Sequence, residues 1–296
     1  LTVLRPVVVG LDGSRESLAA ADWAAREALR RGVPLRLVHA WEAASPQPST
    51  LPELEAPRFW SRRILREAMD RVNERYPQVY LSAEQIARPA SDALVSACAE
   101  GELLVLGSRA FSGFGGFLAG SVALATVARV TRPVVLVRAD ETPASERMPG
   151  SDGKPSTRAP YREVVVGIDT AHVCDDVLAF AFESAALRSA PLRVVHAWQQ
   201  SISPGPGAKS TSAQDDAERE LAGVLGPWRE KHPTVEIHEL VANDHAAHLI
   251  QSSVTDAGLL VVGRRNRPAR VGTHTGRVDH AVMHHVRCPV AIVPHE

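Results

Sequence analysis

Short, wholly apolar runs alternate along this chain with longer amphipathic ones. Val7–Leu11, Leu103–Leu106 and Val134–Val137 are brief and wholly apolar, and Leu35–Ala40 is interrupted only by Arg36 and His39. That is the pattern of strands buried on both faces of a parallel sheet. Between the first two, Leu18, Ala21, Ala25, Ala28 and Leu29 share one face of a helix. The turn Asp12-Gly13-Ser14 opens it and Gly32-Val33-Pro34 stops it. A charged helix over about 59–75, a weaker strand at Tyr80–Ala87 and short helices at Asp92–Ala99 and Val122–Ala128 complete the series. Regular strand–helix alternation predicts a doubly wound, Rossmann-like sheet with helices on both faces.

The same series occurs twice. VVVGLD at Val7–Asp12 returns as VVVGID at Val164–Asp169, and LRLVHAW at Leu35–Trp41 returns as LRVVHAW at Leu192–Trp198. LLVLGSR at Leu103–Arg109 matches LLVVGRR at Leu259–Arg265, and RPVVLV at Arg132–Val137 matches CPVAIV at Cys288–Val293. Four matches in the same order establish a tandem duplication. The stretch from Ala139 to Pro160 carries Pro143, Pro149, Pro155 and Pro160 and reads as a linker. Domains are therefore expected at 1–138 and 161–296, joined by 139–160.

Between strand four and the next helix lies GSRAFSGFGGFLAGS, Gly107–Ser121. Its glycines let backbone N–H groups come close to a ligand, and it delivers the chain to a helix start, which favours anions. In a doubly wound sheet, ligands sit beyond the carboxyl ends of strands where the strand order reverses. Asp12 and Gly107 end two strands expected to be neighbours there, so both face one crevice.

Composition narrows the function. The net charge of -1 offers no general attraction for nucleic acid or membrane surfaces. Cys98, Cys174 and Cys288 are far apart and odd in number, which fits reduced thiols in a cytoplasmic protein better than a disulfide framework. No run is apolar enough to span a bilayer, and no secretory leader is read at the start. Neither GxxxxGK[ST] nor GxSxG occurs, so no catalytic residues are assigned and an enzyme is not expected. His280, His284 and His285 lack a completing ligand set, so no metal is assigned. His39 and His196 occupy matching strand positions and are expected to be structural, as are Trp41 and Trp198.

These residues resemble the universal stress protein family, over nearly the whole chain and twice. The resemblance implies five-stranded parallel sheets of order 3-2-1-4-5 and an adenine nucleotide site, with ATP, with or without Mg2+, as cofactor. It implies that Asp12 holds the adenosine moiety, with Leu11 and Ala40 near the adenine. Gly107, Arg109, Gly120, Ser121 and Val122 would surround ribose and phosphates. It also implies a role in stress response, a regulatory protein partner, pairing of the two copies through their last strands, and a homodimer as a further option. A nucleotide-free interaction scaffold is the other reading.

The first copy carries Ala110 where the family's motif has a middle glycine. If that position takes a positive φ, a Cβ costs about 1 kcal/mol, so a weakened site is expected. The second copy keeps Gly263 and Gly276 but has Asn266 for the middle glycine and Arg277 for the serine. Pro268 and Val271 stiffen that loop, and Arg264, Arg265, Arg267 and Arg270 crowd it with cations. One tight nucleotide per chain, in the first copy, is the expectation.

Overall fold

Val7–Gly10 (β1) pairs in parallel with two strands, Leu35–Trp41 (β2) and Leu103–Ala110 (β4). Val7 stands opposite Leu35 on one side and Leu103 on the other. Leu81–Ala87 (β3) adds outside β2, and Val134–Arg138 (β6) adds outside β4. The order is thus β3-β2-β1-β4-β6, which is 3-2-1-4-5 when the five parallel strands alone are counted, and the strand sequence reverses between β1 and β4. The computed structural model describes residues 4–41, 56–110, 117–118, 120–199, 210–266 and 286–296. It divides into two compact units, the first running to Pro143 and the second beginning at Ala144.

The apolar runs form these strands because both faces are covered. Val7, Val8, Val9, Leu103, Leu104, Val105 and Val134–Val137 are buried. Arg15–Arg31 (α1) covers one face, running back from β1 to β2. Ser14 caps it by accepting from Ser17 N at 3.1 Å, and Gly32, at φ 65, closes it with bonds to Ala28 O and Leu29 O. Ala56–Arg75 (α2) is tied to α1 by Asp22, which accepts from Arg26, Arg75 and the Tyr76 hydroxyl. Burial of Tyr76 raises its pKa against the opposing pull of Arg26. Ala90–Glu100 (α3) packs on the opposite face, beside Ser121–Val127 (α4).

One strand exceeds its expected length. β4 continues past Leu106 to Ala110, where it pairs antiparallel with Phe117–Leu118 (β5). Past Leu106, Gly107 and Ser108 still pair with β6, whereas Arg109 and Ala110 pair with the returning chain.

The second unit repeats the plan. Val164–Ile168 (β7) pairs with Leu192–Trp198 (β8) and with Leu259–Arg265 (β10), while Ile237–Asn243 (β9) and Val290–His295 (β11) lie outside them. Asp175–Arg188 (α5), Ser210–Lys231 (α6) and Ala246–Ser253 (α7) connect them. Phe182 of α5 stacks on Trp228 of α6 at 5.4 Å, and Trp228 is followed in the stack by His232. The stretch expected as a spacer is hydrogen-bonded where it enters this unit. Met148 N bonds Pro160 O, Gly150 N bonds Lys154 O, and the Arg147 guanidinium lies 3.7 Å over the Tyr161 ring.

At the amino ends of these strands a charge cluster joins three of them. Glu163 accepts from Arg193 Nε at 2.8 Å and from His238 Nδ1 at 2.9 Å, and Glu236 takes His238 Nε2 at 3.1 Å. The hydrogen bonds to Glu236 and then Glu163 raise the His238 pKa. Because the folded value lies above the unfolded one, this contribution is complete below the ordinary histidine pKa of about 6.5. It is lost as pH rises through the raised folded value. His238→Gln is therefore expected to lower stability at pH 6 by a few tenths of a kcal/mol, the pair being partly exposed. At pH 9 the variant and the parent should have the same urea midpoint. An equal deficit at both pH values would contradict the charge assignment.

Candidate functional site

The crevice of the first unit is set by the register of β1 and β4. Gly10 stands opposite Leu106, so the chain leaves β1 at Leu11-Asp12 just where β4 reaches Gly107-Ser108. Leu11 is buried and its N–H continues the ladder to Val38 O at 2.8 Å. Asp12 and Gly13 are exposed. The Asp12 carboxylate turns the chain by accepting from Ser14 N at 2.9 Å and from the Ser14 hydroxyl, and Asp12 N donates to Ser17 Oγ at 3.4 Å. Gly13 takes φ 80, the left-handed region that this turn requires. Ala40, half-buried, ends β2 one strand away.

Gly107 has a different reason from the one its motif suggests. A Cβ there would stand 2.5 Å from the carbonyl carbon of Glu16 and 2.6 Å from Ser17 N. The first turn of α1 thus lies directly on β4, and only glycine permits that approach. Gly120 is the opposite case, since among the described residues nothing lies within 4 Å of its added Cβ. It precedes α4 at φ −58 with no side-chain cap, and Ser121 and Val122 begin that helix exposed. Among the described residues, nothing crowds this helix start.

Ala110, in the middle-glycine position, does not take a positive φ: it belongs to β4 and pairs with Phe117. The strain expected from its Cβ is absent. The backbone of Arg109 pairs with Leu118 in the same hairpin. Gly113, Gly115 and Gly116 lie outside the described residues, as do Arg267, Pro268, Arg270, Val271, Gly276, Arg277, His280, His284 and His285. Among the described residues no group of three or more His, Cys, Asp or Glu is placed to hold a metal ion. No helix among them is long and apolar enough to cross a membrane.

The second unit builds the corresponding turn differently. α1 begins at Arg15, three residues after Asp12, whereas α5 begins at Asp175, six after Asp169. The missing turn is a 3-10 segment, Thr170–His172, capped by Asp169 through Ala171 N at 3.1 Å. The same carboxylate faces His172 Nδ1 at 3.0 Å. At Gly263, the counterpart of Gly107, the nearest described atoms are side chains rather than helix backbone. Its added Cβ would approach the His295 ring at 2.8 Å and the Val177 side chain at 3.0 Å. Arg264 is buried and Arg265 exposed.

A doubly wound α/β fold present twice, with an aspartate after the first strand of each copy, defines the class of fold in which ligands, where present, sit at the strand-order reversal. The chain belongs to the universal stress protein family, whose model matches it twice, over residues 4–138 and 160–294. It is 32% identical to universal stress protein Rv2005c of Mycobacterium tuberculosis, over 97% of this chain and 96% of that one. A second relative from that organism, universal stress protein Rv2623, is 30% identical over 97% and 95%. The crystal structure of a universal stress protein from Archaeoglobus fulgidus superposes with a TM-score of 0.66 at 16% identity, covering 97% of this chain and 98% of that one, and shares the fold.

The two motif glycines should respond oppositely to a single methyl. Gly107→Ala forces α1 off the sheet and is expected to cost about 1–3 kcal/mol of the first unit's stability by urea titration. Gly120→Ala should stay within about 0.5 kcal/mol of the parent. Equal losses in the two variants would contradict the packing role given to Gly107.

Proposed function

We propose that the first repeat binds an adenine nucleotide, with ATP as the expected ligand, with or without Mg2+. Bound nucleotide would set the affinity of this stress protein for a regulatory partner, and the protein would work by binding rather than by turnover. The observation that carries this reading is the exposed helix start at Gly120-Ser121, uncrowded by any described residue and reached from the same strand reversal as Asp12. Unpaired N–H groups at a helix start suit phosphate oxygens, and a serine hydroxyl adds a donor there. Membership of the family, whose nucleotide-binding members carry the motif kept at Asp12, Gly107, Gly120 and Ser121, supports the same ligand class.

A nucleotide-free scaffold is the second reading, favoured by one specific observation. Gly107 is demanded by packing against Glu16 and Ser17, so its presence does not require a ligand. Gly120 separates the two readings. Because no described residue crowds it, Gly120→Val is expected to leave the fold intact while filling the space a phosphate would occupy. Calorimetric titration with ATP is expected to show at least a tenfold loss of affinity, roughly 1.4 kcal/mol, at an unchanged melting temperature. Unchanged affinity would contradict the placement of the phosphates. An absence of binding in the parent protein would favour the scaffold.

A further inference from the structure

We infer that His39 reads the nucleotide bound in the first unit, accepting a hydrogen bond from it through Nε2. This rests on the nucleotide-binding reading above. Both units place a histidine near the end of the strand beside β1 or β7, with Nδ1 against the carbonyl that precedes the aspartate. His39 Nδ1 lies 2.6 Å from Leu11 O, and His196 Nδ1 lies 3.3 Å from Ile168 O. A carbonyl only accepts, so Nδ1 carries the proton and the neutral ring presents Nε2 as an acceptor.

In the second unit that acceptor faces a hydroxyl of its own chain, Thr170 Oγ1 at 3.4 Å. The residue of the first unit that matches Thr170 is Gly13, which has no side chain to offer. It is held as glycine by its φ of 80 and by Ile64, whose Cγ1 would stand 3.1 Å from an added Cβ. His39 is half-buried, and its Nε2 has no partner among the described residues. At this imidazole the two units differ. The second satisfies this imidazole internally, and the first leaves a fixed, correctly protonated acceptor next to the Asp12 turn.

A nucleotide offers two kinds of donor to such an acceptor, the exocyclic amine of the base and a hydroxyl of the sugar. Comparing AMP with IMP removes the amine, and comparing AMP with dAMP removes the 2′-hydroxyl.

The test titrates the full chain with these three nucleotides at pH 7.5, as the parent and as His39→Phe, His39→Gln and His196→Phe. The parent should prefer AMP over IMP or over dAMP by about tenfold, the worth of one buried acceptor left unpaired. His39→Phe should bind the three alike, at the level of the poorer parent ligand. His39→Gln, which keeps a donor and an acceptor, should recover part of the preference, and His196→Phe should match the parent. Retained preference in His39→Phe overturns the assignment. So does an equal loss for all three ligands that Gln does not relieve, because His39 is then a tether for Leu11 and nothing more. A parent protein that binds none of the three removes the nucleotide-binding reading itself, and this inference with it.

Discussion

The first turn of α1 rests on the Cα of Gly107, and the first unit's crevice follows from that contact. With no side chain between them, the helix starts three residues after Asp12, and Ser14 and Ser17 close the turn by hydrogen bonds. Asp12 is thereby held at the mouth of the β1–β4 reversal, beside β4 and the return of the chain through β5. The second unit lacks the contact. Its helix begins a turn later, Asp169 is spent on capping a 3-10 segment and on His172, and Gly263 faces side chains that can move. Identical sheets therefore present unlike crevices, and the difference originates in the few residues after the first strand.

Much of the fold was legible because its causes are local and repeated. Val7–Leu11 and Val164–Ile168 are too short and too apolar to be anything but buried strands, and the duplication repeated four of the five strands in the same order. Helix limits followed from Ser14 and Gly32, whose caps form as their chemistry dictates. The strand order came from the family resemblance and from the rule for doubly wound sheets, and the pairings of β1 with β2 and β4 bear it out.

What the sequence hid is the work done by backbone and by contacts distant along the chain. Gly107 reads as a ligand glycine, yet its neighbours are Glu16 and Ser17, some ninety residues earlier, and no pattern in the loop announces them. Ala110 reads as a flaw in the motif, but the hairpin with Phe117 gives it an ordinary extended conformation. His39 reads as structural from its recurrence at His196. Half of that holds, since both Nδ1 atoms bond a carbonyl, but the second nitrogen is free to serve only where Gly13 replaces Thr170. Comparing Gly13 with Thr170 across the repeat was the available signal, and it acquires meaning only when His196 is seen to face Thr170.

The central claim is that the two crevices are unequal because the turn after the first strand differs. Native mass spectrometry of the intact chain with saturating adenine nucleotide tests it most directly. One nucleotide bound tightly per chain is the predicted result. Two equivalent nucleotides per chain would contradict the account, since the 3-10 turn and the capped Asp169 would then make no difference to the ligand.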